Sequence, residues 1–141
     1  KTNKIFQMNL SKVIEFKANY NFYFLIIFPF LKSSTKKIYS KFKEYEVIEK
    51  TKDYKNNSKL ELTNKVKTEI NSLENTVIYK FPILKKILEE LELIRNCQFS
   101  RITGSGSACF GMFLNKKDAT FALKSIKKRF PAFWCVVSKT I

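Results

Sequence analysis

Histidine is absent from the 141 residues, and cysteine, glycine, proline and arginine each occur only three times. Without histidine there is no Ser-His or Cys-His nucleophile arrangement, which excludes hydrolase chemistry of that kind. Cys97, Cys109 and Cys135 are odd in number and lack C-x-x-C spacing, so neither a disulfide framework nor a zinc site is expected. Their apolar neighbours suggest buried free thiols in a reducing compartment, and a cytoplasmic location follows. So few glycines and prolines also exclude a collagen-like or low-complexity chain. The longest apolar run, residues 20–31, is interrupted by Asn21 and Pro29. It is shorter than the roughly 20 residues that a membrane-spanning helix needs. No membrane contact is expected from it, and its internal position does not suit a signal peptide.

Positive charge is plentiful. Lys and Arg total 27 against 12 acidic residues, a net charge of +15, which raises nucleic acid as a partner. Only Arg95, Arg101 and Arg129 are arginines, leaving 24 lysines scattered from Lys1 to Lys139. Forked contacts to phosphates and base edges draw on Arg more than on Lys, so the scatter favours a solvated lysine surface. A basic RNA-binding module with a ferredoxin-like sheet is the alternative reading, and it requires exposed sheet aromatics and clustered arginines.

The length predicts one compact unit. Residues 22–28 are aromatic and β-branched and predict a strand ended by Pro29, buried or else exposed and adhesive. Ser33, Ser34 and Thr35 form an N-cap signal, with a short helix expected over 36–43 and a polar surface loop over 44–59. Leu60, Leu62, Val66, Ile70 and Leu73 return at helical spacing. The pattern breaks at Asn71-Ser72-Leu73-Glu74, and a second helical stretch is expected over 76–94, kinked or restarted at Pro82. Residues 97–103 and 108–114 then alternate as strands around a glycine-rich corner. Residues 116–129 form an amphipathic helix, and 132–138 a last strand. Four strands with helices between them suit an α+β fold, a ferredoxin-like two-layer sandwich whose helices cover one sheet face.

The corner is Thr103-Gly104-Ser105-Gly106-Ser107. Its glycines allow positive φ and close backbone approach, and its hydroxyls and amides can converge on phosphate oxygens. Alone, a G-x-G between strands is most often just a turn; it is neither a Walker loop nor a dinucleotide-binding fingerprint.

The longer run Arg101-Ile102-Thr103-Gly104-Ser105-Gly106-Ser107-Ala108-Cys109-Phe110-Gly111-Met112-Phe113 resembles the third conserved motif of the GHMP kinases. Within that family it is similar to the branch that phosphorylates 4-diphosphocytidyl-2-C-methyl-D-erythritol in non-mevalonate isoprenoid synthesis. Asn71-Ser72-Leu73-Glu74 resembles the family's Asn-Asp-Leu-Glu, with Ser72 replacing Asp. Phe81-Pro82 resembles its Tyr-Pro, and residues 131–137 its terminal Trp-bearing strand. Phe28-Pro29 followed by Ser34-Thr35 and Ile38-Tyr39 resembles its Val-Asn-Pro, Ser-Thr and helix, with Phe28 replacing Asn.

The resemblance implies the C-terminal domain of such a kinase over 20–141. It implies phosphoryl transfer from ATP, with Mg²⁺, to a hydroxyl of a small-molecule substrate. Thr103, Gly104, Ser105, Gly106 and Ser107 would line the substrate and phosphate cleft, while Ser34, Thr35, Asn71 and Glu74 would serve as structural motif residues. The family's early Lys, its Gly-Leu-Gly-Gly-Gly-Ser-Ser ATP loop and its Asp base have no counterpart here. No catalytic residue and no metal ligand is therefore assigned. Asn3-Lys4-Ile5-Phe6 with Leu10-Ser11 resembles the segment after the ATP loop, so 1–19 reads as a remnant of the N-terminal, ATP-binding domain, with an internal deletion before the first strand. Since the first residue is Lys1, an incomplete reading frame or processing is expected. A remnant, or a chain that depends on a separate N-terminal half, is the expectation, and so is exposed apolar surface where that half would pack.

Overall fold

The computed structural model describes residues 3–6 and 13–16 as backbone, and 20–41 and 57–140 in full. β1 (Asn3–Phe6) and β2 (Val13–Phe16) pair antiparallel, Asn3 opposite Phe16. This hairpin falls in the segment expected as an N-terminal-domain remnant. The expected loop over 44–59 lies mostly outside the described residues.

β3 (Tyr23–Phe28) ends at Pro29, which has no N–H to continue the ladder. α1 (Thr35–Tyr39) is capped by Ser34, whose hydroxyl accepts from the Lys37 amide at 3.4 Å, and it is shorter than the predicted 36–43. α2 (Lys59–Lys67) opens on a full capping box, with Ser58 N donating to Glu61 Oε2 at 2.7 Å and Glu61 N donating to Ser58 Oγ at 3.3 Å. Pro82 restarts the chain rather than kinking it. α3 (Glu74–Lys80) closes at Phe81, which leaves helical geometry at φ −131°, and Pro82 is the first residue of α4 (Pro82–Leu93). β4 (Phe99–Ile102), β5 (Cys109–Phe113), α5 (Lys116–Arg129) and β6 (Trp134–Lys139) complete the chain as predicted, within one or two residues at most ends.

The four later strands form one antiparallel sheet ordered β4-β5-β3-β6. β3 is central, with Ile27 level with both Cys109 and Cys135. That order and connectivity are those of the expected ferredoxin-like α+β fold. α4 lies over β4 and β5, and α5 over β3 and β6. Between them and the sheet Leu25, Ile27, Leu84, Ile87, Leu91, Phe113 and Ile126 are fully buried, each contributing about 1.5–3 kcal/mol.

One expectation is corrected. Helices do not cover a single face, because α2 lies on the opposite one, where Leu62 and Val66 pack with Phe22, Phe99 and Met112. The strands carry apolar residues on both faces, and period-two alternation cannot reveal a second covering layer in such strands. Cys109 and Cys135 are buried as expected, and Cys97 partly so. Among the described residues no helix is long and apolar enough to cross a membrane.

Candidate functional site

The corner after β4 is held by side chains from two distant segments. Within the loop, Gly106 N donates to Thr103 O and Thr103 N to Ala108 O, each at 2.8 Å. Gly104 and Gly106 have φ of +48° and +81°. A Cβ on Gly106 would come 2.9 Å from Val77 Cγ1 in α3, whereas one on Gly104 would meet nothing within 4 Å. The loop is thus packed on its inner side and open at Gly104, where a ligand can approach the backbone.

The 31–35 segment supplies one set of contacts. Ser33 Oγ donates to Ser105 O at 2.8 Å, the Thr35 and Ser105 hydroxyls share a hydrogen bond at 3.0 Å, and Ser107 Oγ donates to Leu31 O at 2.8 Å. The other set comes from the turn before α3. Asn71 Nδ2 donates to Ile102 O at 3.0 Å and to Gly104 O at 2.8 Å, while its Oδ1 accepts from Leu73 N at 3.1 Å. Glu74 Oε2 accepts from Ile102 N at 2.9 Å. β4 is an edge strand, and Ile102 turns its N–H and C=O away from β5; these groups and the Gly104 and Ser105 carbonyls are satisfied by these side chains.

The structure therefore brings together Thr35, Asn71, Glu74 and the five loop residues. Thr103 and Gly104 are exposed, and Ser105 and Gly106 half-buried. Ser107 is only 4% exposed, and its hydroxyl is directed into the protein frame. Ser34 is not brought to the loop, because its side chain caps α1. Ser33, the Leu31 carbonyl and Val77 join the site without a sequence signal: nothing in Ser33-Ser34 tells which hydroxyl caps the helix and which crosses to the loop.

The thiols do not act as nucleophiles here. Burial, reinforced by Glu74, pushes Cys109 up to about 12, and burial with Glu92 pushes Cys97 up to about 11. Arg101 is committed to structure, since its guanidinium donates to Val66 O at 3.0 Å and Lys67 O at 2.8 Å and lies 4.6 Å from the Phe99 ring centroid. Desolvation lowers its pKa, and Glu74 and Glu69 oppose that shift. The exposed sheet aromatics and clustered arginines that an RNA-binding surface requires are not what Phe99 and Arg101 provide.

A groove of about 350 Å³ lies at the other end of β3, between Tyr20, Tyr23, Lys59, Leu114 and Lys116. Two of its polar side chains are engaged within the fold: Lys59 Nζ donates to Leu114 O at 2.6 Å, and Tyr20 OH to Asn57 O at 3.0 Å. Asn115 caps α5 by accepting from Asp118 N at 2.9 Å. The groove thus serves as a structural seam, and the glycine loop is the candidate site.

Comparison with known proteins places the chain in a family. The family described as GHMP kinases C terminal matches residues 45–132. The 4-diphosphocytidyl-2-C-methyl-D-erythritol kinase of Pelagibacter ubique is 35% identical over 127 residues, which is 90% of this chain and 44% of that protein. The kinase of the same name from Thermodesulfovibrio yellowstonii is 41% identical over 71 residues, 50% of this chain and 23% of its own. The chain thus spans less than half the length of the curated relatives it matches. Among solved structures, a 4-(cytidine 5'-diphospho)-2C-methyl-D-erythritol kinase superposes with a TM-score of 0.63 at 20% identity, covering 90% of this chain and 46% of that one. A homoserine kinase from Cytophaga hutchinsonii superposes at 0.65 and 16% identity, covering 92% and 44%. Both show the same fold. With a matched segment longer than half its length, the chain belongs to the GHMP kinase family and carries that family's C-terminal domain.

Proposed function

We propose that this chain is the C-terminal part of an ATP-dependent kinase acting in the cytoplasm on the methylerythritol hydroxyl of 4-diphosphocytidyl-2-C-methyl-D-erythritol. Residues 20–141 form the substrate-side domain, 1–19 derive from the ATP-binding domain, and a body equivalent to the N-terminal part of the relatives supplies the ATP loop and the base. The observation that carries this reading is the frame around the loop. Thr35, Asn71 and Glu74, drawn from separate family-like motifs, all bond to the backbone or side chains of residues 102–105.

The loop fits the edge of a phosphate cradle. Gly104 leaves open space beside exposed backbone, while the flanking hydroxyls brace the turn, Thr103 Oγ1 donating to Ala108 O at 3.2 Å and Ser105 Oγ bonding the Thr35 hydroxyl at 3.0 Å. ATP supplies the transferred phosphoryl group when bound, and a transfer of this type depends on positioning and charge stabilisation more than on covalent chemistry. The protein's part here is to hold the loop amides and hydroxyls fixed and to exclude movement at Gly106. Among the described residues no side chain at the loop fits Mg²⁺: the carboxylate placed against it, Glu74, accepts from Ile102 N. No step is routed through it.

Alone, with ATP and the methylerythritol substrate, the chain is expected to release no ADP above a Gly104→Asp control. With the N-terminal part of the Pelagibacter ubique kinase added, ADP should accumulate for the unmodified chain and not for the variant. Turnover by the isolated chain overturns the dependence on a partner, and silence of an assembled complex overturns the kinase reading.

A further inference from the structure

Ser33 reaches the loop without a motif to mark it, and what it grips is one end of a peptide plane. In a trans peptide the C=O and the N–H point in opposite directions. The 105–106 plane is held at both: Ser33 Oγ donates to Ser105 O, and Gly106 N donates to Thr103 O, each at 2.8 Å. The 104–105 plane is held at its carbonyl, where Gly104 O accepts from Asn71 Nδ2 at 2.8 Å, so the Ser105 N–H is turned away from Asn71. Ser105 lies between the two planes, and holding both fixes its backbone torsions. Neither the Gly104 N–H nor the Ser105 N–H donates to an acceptor among the described residues. These two consecutive amides flank the position where a Cβ would meet nothing within 4 Å.

Two hydroxyls reach Ser105, and they are not equivalent. The bond between the Thr35 and Ser105 hydroxyls is exposed, where water can replace either partner. The Ser33 bond is sheltered: Ser33 is half-buried, and its Oγ lies 4.0 Å from where a Cβ on Gly106 would sit, on the side packed by Val77. Without that hydroxyl, Ser105 O regains a donor only if the 105–106 plane rotates, which breaks the bond from Gly106 N to Thr103 O and loosens Ser105.

We infer that Ser33 is a positioning residue for the phosphate-facing side of the loop: through the Ser105 carbonyl it fixes the Gly104 and Ser105 amides that meet an anionic phosphoryl oxygen. This rests on the kinase reading, and it adds to the site a residue outside the set Ser34, Thr35, Asn71 and Glu74. Ser33 touches no ligand itself. Its effect is that the amides are ordered before the anion arrives, so binding does not have to order them.

The test follows backbone amides by heteronuclear NMR in the full chain as inorganic pyrophosphate is added. Saturable shifts at Gly104 and Ser105 are expected. Ser33→Ala should weaken that response about tenfold, whereas Ser33→Thr, which keeps the hydroxyl, should restore it. Ser34→Ala removes the α1 cap at the adjacent position and should leave the pyrophosphate affinity unchanged. Circular dichroism checks that all three variants fold. Equal weakening by Ser33→Ala and Ser34→Ala, no restoration by Ser33→Thr, or shifts confined to the lysine-bearing helices each overturns the proposal. In the assembly with the N-terminal part of the Pelagibacter ubique kinase, Ser33→Ala should lower kcat about tenfold and leave KM for the methylerythritol substrate within about twofold. A Ser33-dependent pyrophosphate response without ADP release would leave the positioning role standing and remove the kinase reading. ADP release insensitive to Ser33→Ala would do the reverse.

Discussion

The two ends of β3 use polar groups in opposite ways. At its N-terminal end a groove of about 350 Å³ lies between Tyr23, Lys59 and Lys116, where the Lys59 ammonium and the Tyr20 hydroxyl close hydrogen bonds within the fold. At its C-terminal end two chain segments use their side chains to fix a backbone turn whose outer side stays open at Gly104. Volume marks where packing is imperfect. A preorganised backbone with free approach marks where a ligand can be held, because the ordering has been done before binding.

The largest effect should separate the two glycines within the loop. Gly106→Ala places a methyl group 2.9 Å from Val77 Cγ1 at φ +81°, and urea unfolding should show a loss of about 2–4 kcal/mol. Gly104→Ala, at φ +48° in open space, should lose only about 1 kcal/mol. Equal losses would mean that the loop is not packed against α3, and the double variant Gly106→Ala with Val77→Ala should recover part of the larger loss.

Next comes the contrast between the ends. Glu74→Ala removes a carboxylate that accepts from a backbone amide and should cost about 1.5–3 kcal/mol, with Glu74→Gln retaining part of it. Lys59→Ala, at the groove, should cost about 1 kcal/mol or less, since its ammonium can be replaced by water at Leu114 O. If Lys59 proved the more costly residue in chemical denaturation, the groove would be the tighter structure and the contrast would reverse.

The smallest effect is read in the thiols, one near each end. Burial raises both above the ordinary thiol range, Cys97 to about 11 and Cys109 to about 12. A raised folded-state pKa means the folded chain holds its proton longer. The associated stability is intact below pH 9 and is lost as pH rises towards 11 and 12. A thiol reagent at pH 8 should label both slowly until urea is added, and Cys97, the less buried, should react first as pH is raised. Faster labelling of Cys109 would show that the loop end opens more readily than the frame implies.

Much of this molecule was written locally. Pro29 ended β3 and Pro82 began α4 because a proline lacks the N–H that a ladder or helix interior requires, and the 116–129 periodicity matched α5 to the residue. The glycine corner, and its likeness to a kinase motif, were legible because positive φ demands particular residues. Tertiary structure decided the rest. Only packing could send α2 to the second sheet face, since strands apolar on both sides carry no record of what covers them. Only chain crossing could choose Ser33 over Ser34 as the hydroxyl that reaches Ser105, because adjacent serines are chemically identical until a helix cap claims one of them. The sequence determined which residues could build a held loop, and the fold, by bringing positions 33, 71 and 105 within hydrogen-bond reach, decided that they do.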